Sequence, residues 1–246
     1  MTRNVSLLFV AVLVLAVAGC YLPSPKPGKA VTLQQKVGLG SAETASASIT
    51  IGVGKLKIEG GADSLLDARF EYNIPDWKPV LSYKVEDCEG QLTVEQPSRV
   101  VGATWPGNVR YDWNLRLNRT IPMNLEINLG VGKSDVDLNG VNVHHLDLVA
   151  GVGEGSVDLS GPRTSDLDAT IKAGVGKLTL ILPTDVGVRV TAQAGLGHVD
   201  ASGLKADGDA WVNDVWGKTK TSLRIEVEGG IGAVELRLAG PTAGGI

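Results

Sequence analysis

Two cysteines in 246 residues leave no room for a disulfide framework or a zinc cluster. Phe, Trp and Tyr together make up only 4% of the chain, which excludes a thick aromatic core. No basic tract stands out and the formal net charge is −4, so nucleic acid is not an expected partner. No apolar run approaches the roughly 20 residues that a helix needs to cross a bilayer. Helix-type periodicity is short and interrupted wherever it begins. What is abundant is glycine, 32 residues of it, alongside an ordinary soluble balance of 43% apolar and 20% charged residues. That combination implies many tight turns between short extended segments.

The chain opens with Met1-Thr2-Arg3 and then an uninterrupted apolar run from Leu7 to Ala18. As a helix this run would rise roughly 18 Å, against a bilayer core of about 30 Å, which is the proportion of a signal-peptide core. It ends in Val17-Ala18-Gly19-Cys20, which resembles a bacterial lipobox. The resemblance implies cleavage before Cys20, acylation of that cysteine, and a lipid anchor in a bacterial membrane with the rest of the chain extracytoplasmic. The plainer alternative is a secretory signal with an incidental cysteine. Residues 1–20 are accordingly expected to be a lipoprotein signal peptide. Residues 21–30, with Pro23, Pro25, Pro27 and Gly28, are expected to form an extended tether. Cys88 is then left unpaired, and its expected role is that of a small buried apolar residue.

Gly-x-Gly followed by alternating polar and apolar residues recurs along the chain. It appears as Gly52-Val53-Gly54, Gly130-Val131-Gly132, Gly151-Val152-Gly153, Gly174-Val175-Gly176, Gly195-Leu196-Gly197 and Gly230-Ile231-Gly232, with a relic at Gly38-Leu39-Gly40. The central copies are spaced by 21, 23 and 21 residues, a period that indicates a solenoid or an array. Before each pair lies another alternating segment, for example Leu125, Ile127 and Leu129. Strand, bend, strand is therefore expected in each rung, because glycine lets the chain turn a corner without a Cβ clash. Stacked copies place Ile58, Val136, Val157, Leu180, Ala201 and Leu236 in one inward column. Lys57, Asp135, Ser156, Thr179, Asp200 and Glu235 form a solvated one. No rung can bury its own face, so neighbours must stack. The last step stretches to 35 residues around Trp211 and Trp216, which are expected to pack over the stack near its C-terminal end.

Residues 31–121 carry the first rung and then shorter β segments. Leu66 to Tyr72 alternates, and Pro79 to Glu86 with Gln91 to Gln96 reads as an antiparallel hairpin across Asp87-Cys88-Glu89-Gly90, with Gly90 suited to positive φ. Trp77, Trp105 and Trp113 fall here. They are expected to close one end of the solenoid; the other reading is an aromatic platform for a sugar or peptide, which would make the protein a carbohydrate-binding module. The fold class expected is thus all-β: a parallel β-helix or β-solenoid with rungs of about 21–23 residues over 122–240, preceded by a hairpin-containing antiparallel segment. Residues 241–246 are expected to be a flexible tail.

The run Ile121-Pro122-Met123-Asn124-Leu125-Glu126-Ile127-Asn128-Leu129-Gly130-Val131-Gly132, the Trp211-Val212-Asn213-Asp214 segment and Val227-Glu228-Gly229-Gly230-Ile231-Gly232 together resemble the toast-rack domains. These are related to the C-terminal domains of cell-wall-active antibiotic response proteins and to adhesin-type β-solenoids. The resemblance spans about Thr32 to Leu238. It implies an extracytoplasmic β-solenoid without known catalysis, in a setting of envelope stress sensing or surface adhesion, and it offers no catalytic residues to carry across. The response proteins are usually tethered by transmembrane helices; this chain has a lipobox in their place.

Chemistry is hard to find elsewhere. Gly151-Val152-Gly153-Glu154-Gly155 lacks the helix that a phosphate loop requires. Asp137 and Asp158 could sit on adjacent rungs and share a cation, though two solvated carboxylates are the simpler expectation. His144 and His145 are expected on opposite faces of a strand, and His198 on the surface beside Asp200. No enzyme, no cofactor and no metal site is expected. The expected function is a lipid-anchored contact protein whose partner is another protein or an envelope polymer.

Overall fold

The structure, a computed structural model, describes residues 26–97 and 108–240. Cys20, Trp105, the tail at 241–246 and the first half of the tether lie outside the described residues. Within them the chain forms thirteen strands and one short 3-10 turn at Pro75–Trp77. The N-terminal strands are β1 (Val31–Val37), β2 (Thr44–Ala62), β3 (Leu66–Tyr72), β4 (Val80–Glu86), β5 (Glu89–Glu95) and β6 (Tyr111–Asn118). Then come β7 (Met123–Asp137), β8 (Val143–Asp158), β9 (Leu167–Leu182) and β10 (Gly187–Asp200). Two short strands, β11 (Lys205–Asp207) and β12 (Ala210–Val212), precede β13 (Ser222–Leu238).

Six long strands are the rungs, and they stack in parallel in the order β2, β7, β8, β9, β13, β10. Each runs through its Gly-x-Gly without losing register, so that Gly54, Gly132, Gly153 and Gly176 stack on one another. The burial phase changes at the glycines. In β7, Leu125, Ile127 and Leu129 are buried at odd positions, while Ser134 and Val136 are buried at even ones. A straight strand would send these two sets to opposite faces. Both are buried, so the strand must bend at the glycines and fold its two arms around one core. Gly132 shows what the corner requires: its φ is 149°, and a Cβ there would overlap the carbonyl oxygen of Gly54. The stacked corner is therefore closed to any side chain at that column.

The inward column expected from the repeat is observed. Ile58, Val136, Val157, Leu180 and Leu236 are all fully buried, and Ala201 at the end of the stack is half-buried. The rung order, however, differs from chain order. The copy that is last in sequence, β13, is inserted between β9 and β10. The long step between residues 201 and 221 makes this possible, because it reaches round β10 and returns the chain to the far side. Parallel rungs with the same inward pattern accept one another in any order, so nothing in the pattern forces β13 to the end.

The N-terminal segment closes one end of the stack. β5 pairs in parallel with the first arm of β2, from Thr44 to Thr50, and β6 pairs in parallel with the second arm from Lys55 onward. The gap at the corner is filled by Gln96, whose Oε1 accepts hydrogen bonds from the Gly52 and Val53 amides at 2.8 and 3.0 Å. β4 then pairs antiparallel with β5, and β3 and β1 extend antiparallel from β6. The hairpin is present as expected, but its turn differs. Asp87 and Cys88 adopt φ values of 51° and 64°, and Cys88 is exposed rather than buried. Two positive φ values in a two-residue loop are what a twisted hairpin favours. Gly90 is needed for another reason: it lies in β5 beneath Tyr83, where a Cβ would sit 2.7 Å from the phenolic oxygen. The last part of the tether is docked, with the Gly28 amide donating to the Asn73 carbonyl at 2.6 Å.

Candidate functional site

Trp77 and Trp113 do not form a platform. They are 2% and 1% exposed and belong to an aromatic cluster with Phe70 and Tyr111. Phe70 meets Trp113 edge-on at 5.2 Å, and Trp77 meets Tyr111 edge-on at 5.5 Å. The Tyr111 hydroxyl donates to the Trp77 carbonyl at 2.8 Å, and burial raises the phenol above its ordinary value. Neither indole presents a face to a ligand, and the ligand-platform reading of these two residues is corrected on that ground. The reason is local: Trp113 alternates inward with Tyr111 and Leu115 on β6, the strand laid over the second arm of β2.

The histidines and acids are equally occupied with local tasks. A register shift at Met123/Asn124 opposite Val143 and His145 leaves His144 unpaired in the ladder, so both histidines are exposed, contrary to a simple alternation. His144 Nε2 lies 3.2 Å from Asn142 Oδ1, and His145 Nε2 lies 3.0 Å from Asp147 Oδ2. Asp137 and Asp158 are neighbours across β7 and β8. Each accepts the amide two residues further on, from Asn139 at 2.9 Å and from Ser160 at 2.8 Å, and so ends its strand. Among the described residues no group of three or more His, Cys, Asp or Glu gathers as a metal site would.

What the rungs bring together is an apolar ridge at the corner. Val53, Val131, Val152, Val175, Ile231 and Leu196 occupy the middle of each Gly-x-Gly and stand side by side in the stack. Val131, Val152, Val175, Ile231 and Leu196 are 44, 48, 44, 51 and 71% exposed. An in-register row of this kind is an exposed apolar patch of the sort that marks contact sites. Beside it run Lys55, Lys133, Glu154 and Lys177, with Lys133 reaching Glu154 of the next rung at 3.5 Å. Lys177 reaches Glu235 at 2.7 Å, and exposed pairs of this kind add little stability.

At the N-terminal end the ridge runs into a groove of about 590 Å³. Val53, Val109 and Val131 supply its apolar lining, and Lys55, Arg110, Lys133 and Asp112 its charges. The volume falls in the range of small-ligand sites. Arg110 is held by Glu71 at 2.7 Å and Asp112 at 3.3 Å. The groove offers apolar contact and positive charge, without a nucleophile and base in hydrogen-bond contact. The ridge was not singled out from sequence. Its signal was present, an apolar residue between two glycines in six copies, but the same residues read equally well as core.

The sequence of residues 26–181 matches the family model described as the N-terminal domain of toast_rack. Among solved structures, the chain is similar to a candidate cell adhesion protein from Clostridium sporogenes, at 33% identity and a TM-score of 0.84. The match covers 86% of this chain and 100% of that one. A candidate adhesin from Bacteroides fragilis is 12% identical over 87% of this chain and 99% of its own, with a TM-score of 0.36, at which the likeness carries no argument. No curated protein matches.

Proposed function

The chain belongs to the toast_rack family through its N-terminal domain, and from that premise we propose that it is an adhesion-like contact protein of the bacterial cell envelope. It works without catalysis, held to the membrane by a lipid on Cys20, and presents the corner ridge to a protein or an envelope polymer. The observation that carries this reading is the ridge itself: six apolar residues kept in register, five of them exposed and Val53 half-buried, in a fold that buries the inward apolar columns of its rungs. A stacked repeat also gives a long, straight surface suited to an extended partner. The cell adhesion candidate from Clostridium sporogenes, with the same fold, supports the direction of the proposal.

The test uses cells producing the full chain. Val131→Lys, Val152→Lys and Val175→Lys together place three charges on the ridge without touching the core. Loss of binding to envelope extracts, with expression and melting temperature retained, is expected; undiminished binding overturns the ridge as the contact. Anchoring has its own measurement: inhibition of lipoprotein signal peptidase should leave a larger, unprocessed form. An unchanged size would remove Cys20 from the account and leave the ridge standing.

A further inference from the structure

The outer edge of β10 is only half covered. β12 pairs with it at Arg189 and Val190, and Asn213 seals what precedes. The Asn213 side chain accepts the Val188 amide at 3.0 Å and donates to the Val186 carbonyl at 2.7 Å, and Thr219 accepts the Gly187 amide at 2.8 Å. From Thr191 to Asp200 no described strand lies alongside. Along these ten residues the N–H and C=O groups directed away from β13 meet no strand among the described residues, an arrangement that natural sheets cover, charge or use for pairing.

We propose that this edge pairs with the same edge of a second copy, giving a closed two-fold dimer joined tail to tail. At the opposite end the first rung is covered by β5, Gln96 and β6, and the strands that end the sheet there, β4 and β1, are seven residues each and lie along one arm only, so among the described residues the edge of a bent rung is open at β10 alone. A rung edge that bends the same way fits this one best, so the contact is of the edge with itself; it is isologous and closes at two. Two independent features of the edge agree on its register. Laid antiparallel on itself, the open stretch matches end to end when Thr191 of one copy faces Asp200 of the other, so that the incoming strand stops where the β12 cap begins. The same register sets the half-buried Val199 against the buried Ala192, and exposed Gln193 against exposed His198. A shift by one residue would set inward positions against outward ones, because side chains alternate. In this register no like charges oppose one another. Leu196, the most exposed member of the ridge at 71%, comes to lie at the centre of the joint.

This pairing does not depend on the envelope-contact reading. It is tested on the purified full chain by sedimentation equilibrium in density-matched detergent. A dimer in the micromolar range is expected, and a monomer throughout that range overturns the proposal. Two double variants then probe the register at solvent-exposed positions. In Gln193→Lys with His198→Lys, cations face each other twice across the joint, and the dissociation constant should rise by more than about tenfold. In Gln193→Lys with His198→Glu, each Lys faces a Glu, and the dimer should be retained or tightened. Equal behaviour of the two variants, or a dimer indifferent to both, refutes the joint described. Val131→Lys, far along the ridge, should leave the dissociation constant unchanged, and a large rise in it would relocate the contact.

Discussion

The two ends of the rung stack solve the same problem in unequal ways. At the N-terminal end, the first rung β2 is covered on both arms by further strands and at its corner by a single glutamine side chain. Behind that cover sits the aromatic cluster, with Trp113 and Phe70 fully buried. At the C-terminal end the last rung in space, β10, has one short paired strand and an asparagine cap, while half-buried Trp211 and Trp216 do the covering. The first end is a wall and the second is a partial lid. A solenoid can thus be finished by burying its terminal edge or by leaving it competent to pair, and this protein does one at each end.

The contrast can be pressed with substitutions. The largest effect is expected at the sealed end, where Trp113→Ala should cost about 3–5 kcal/mol in denaturant unfolding, the usual range for emptying a buried aromatic site. Trp211→Ala at the other end should cost under about 1.5 kcal/mol, since that side chain is only half-buried. Equal losses would dissolve the distinction. The corner, by contrast, is common to both ends. A Cβ at Gly54 would strike the Tyr111 carbonyl, and one at Gly197 the Gly232 carbonyl, so Gly54→Ala and Gly197→Ala should each cost about 1–3 kcal/mol. A harmless Gly197→Ala would show that the last rung is already loose. In the Gln193→Lys, His198→Lys form, amides of Thr191–Asp200 that face away from β13 should exchange on the order of tenfold faster than their counterparts in β2. Smallest of all, Cys88→Ser should leave stability within about 0.5 kcal/mol while abolishing the rapid native-state labelling of that exposed thiol by maleimide.

The repeated corner and its inward columns were legible because each rung must satisfy the same steric demand. Gly132 cannot be anything else while Gly54 lies beneath it, and Val136 cannot be polar while Ile58 and Val157 lie on either side. The order of the rungs was not legible, because β13 carries the same pattern as β10 and fits equally well against β9. Nothing in the sequence sets Asn213 apart from its neighbours Val212 and Asp214, yet its one amide seals the last rung through three backbone groups. Hydrogen-bond duties of that kind leave no periodic trace. Cys88 is exposed, not buried, for a related reason: a two-residue turn at positive φ is ordinarily marked by Asn or Gly, and Asp-Cys does not announce it. For the candidate site, burial separated Trp113 from a ligand platform and exposure singled out Val131, although both are apolar residues in alternating strands. Periodicity tells the two arms of a strand apart; it does not tell which apolar residue stands outside the bend.

The interior position of β13 also determines how the molecule would bear a pull. Tension applied through the segment after Leu238 acts on a strand held from Leu223 to Leu238 by β9 on one flank and from Ser222 to Glu235 by β10 on the other. Both partners run parallel to it, so the load is taken in shear, with hydrogen bonds along both flanks resisting together instead of opening one after another as at a peeled edge. A chain whose final rung lay at the end of the stack would unzip from that side. Threading the last strand into the middle makes it a clamp against a pull from that end of the chain.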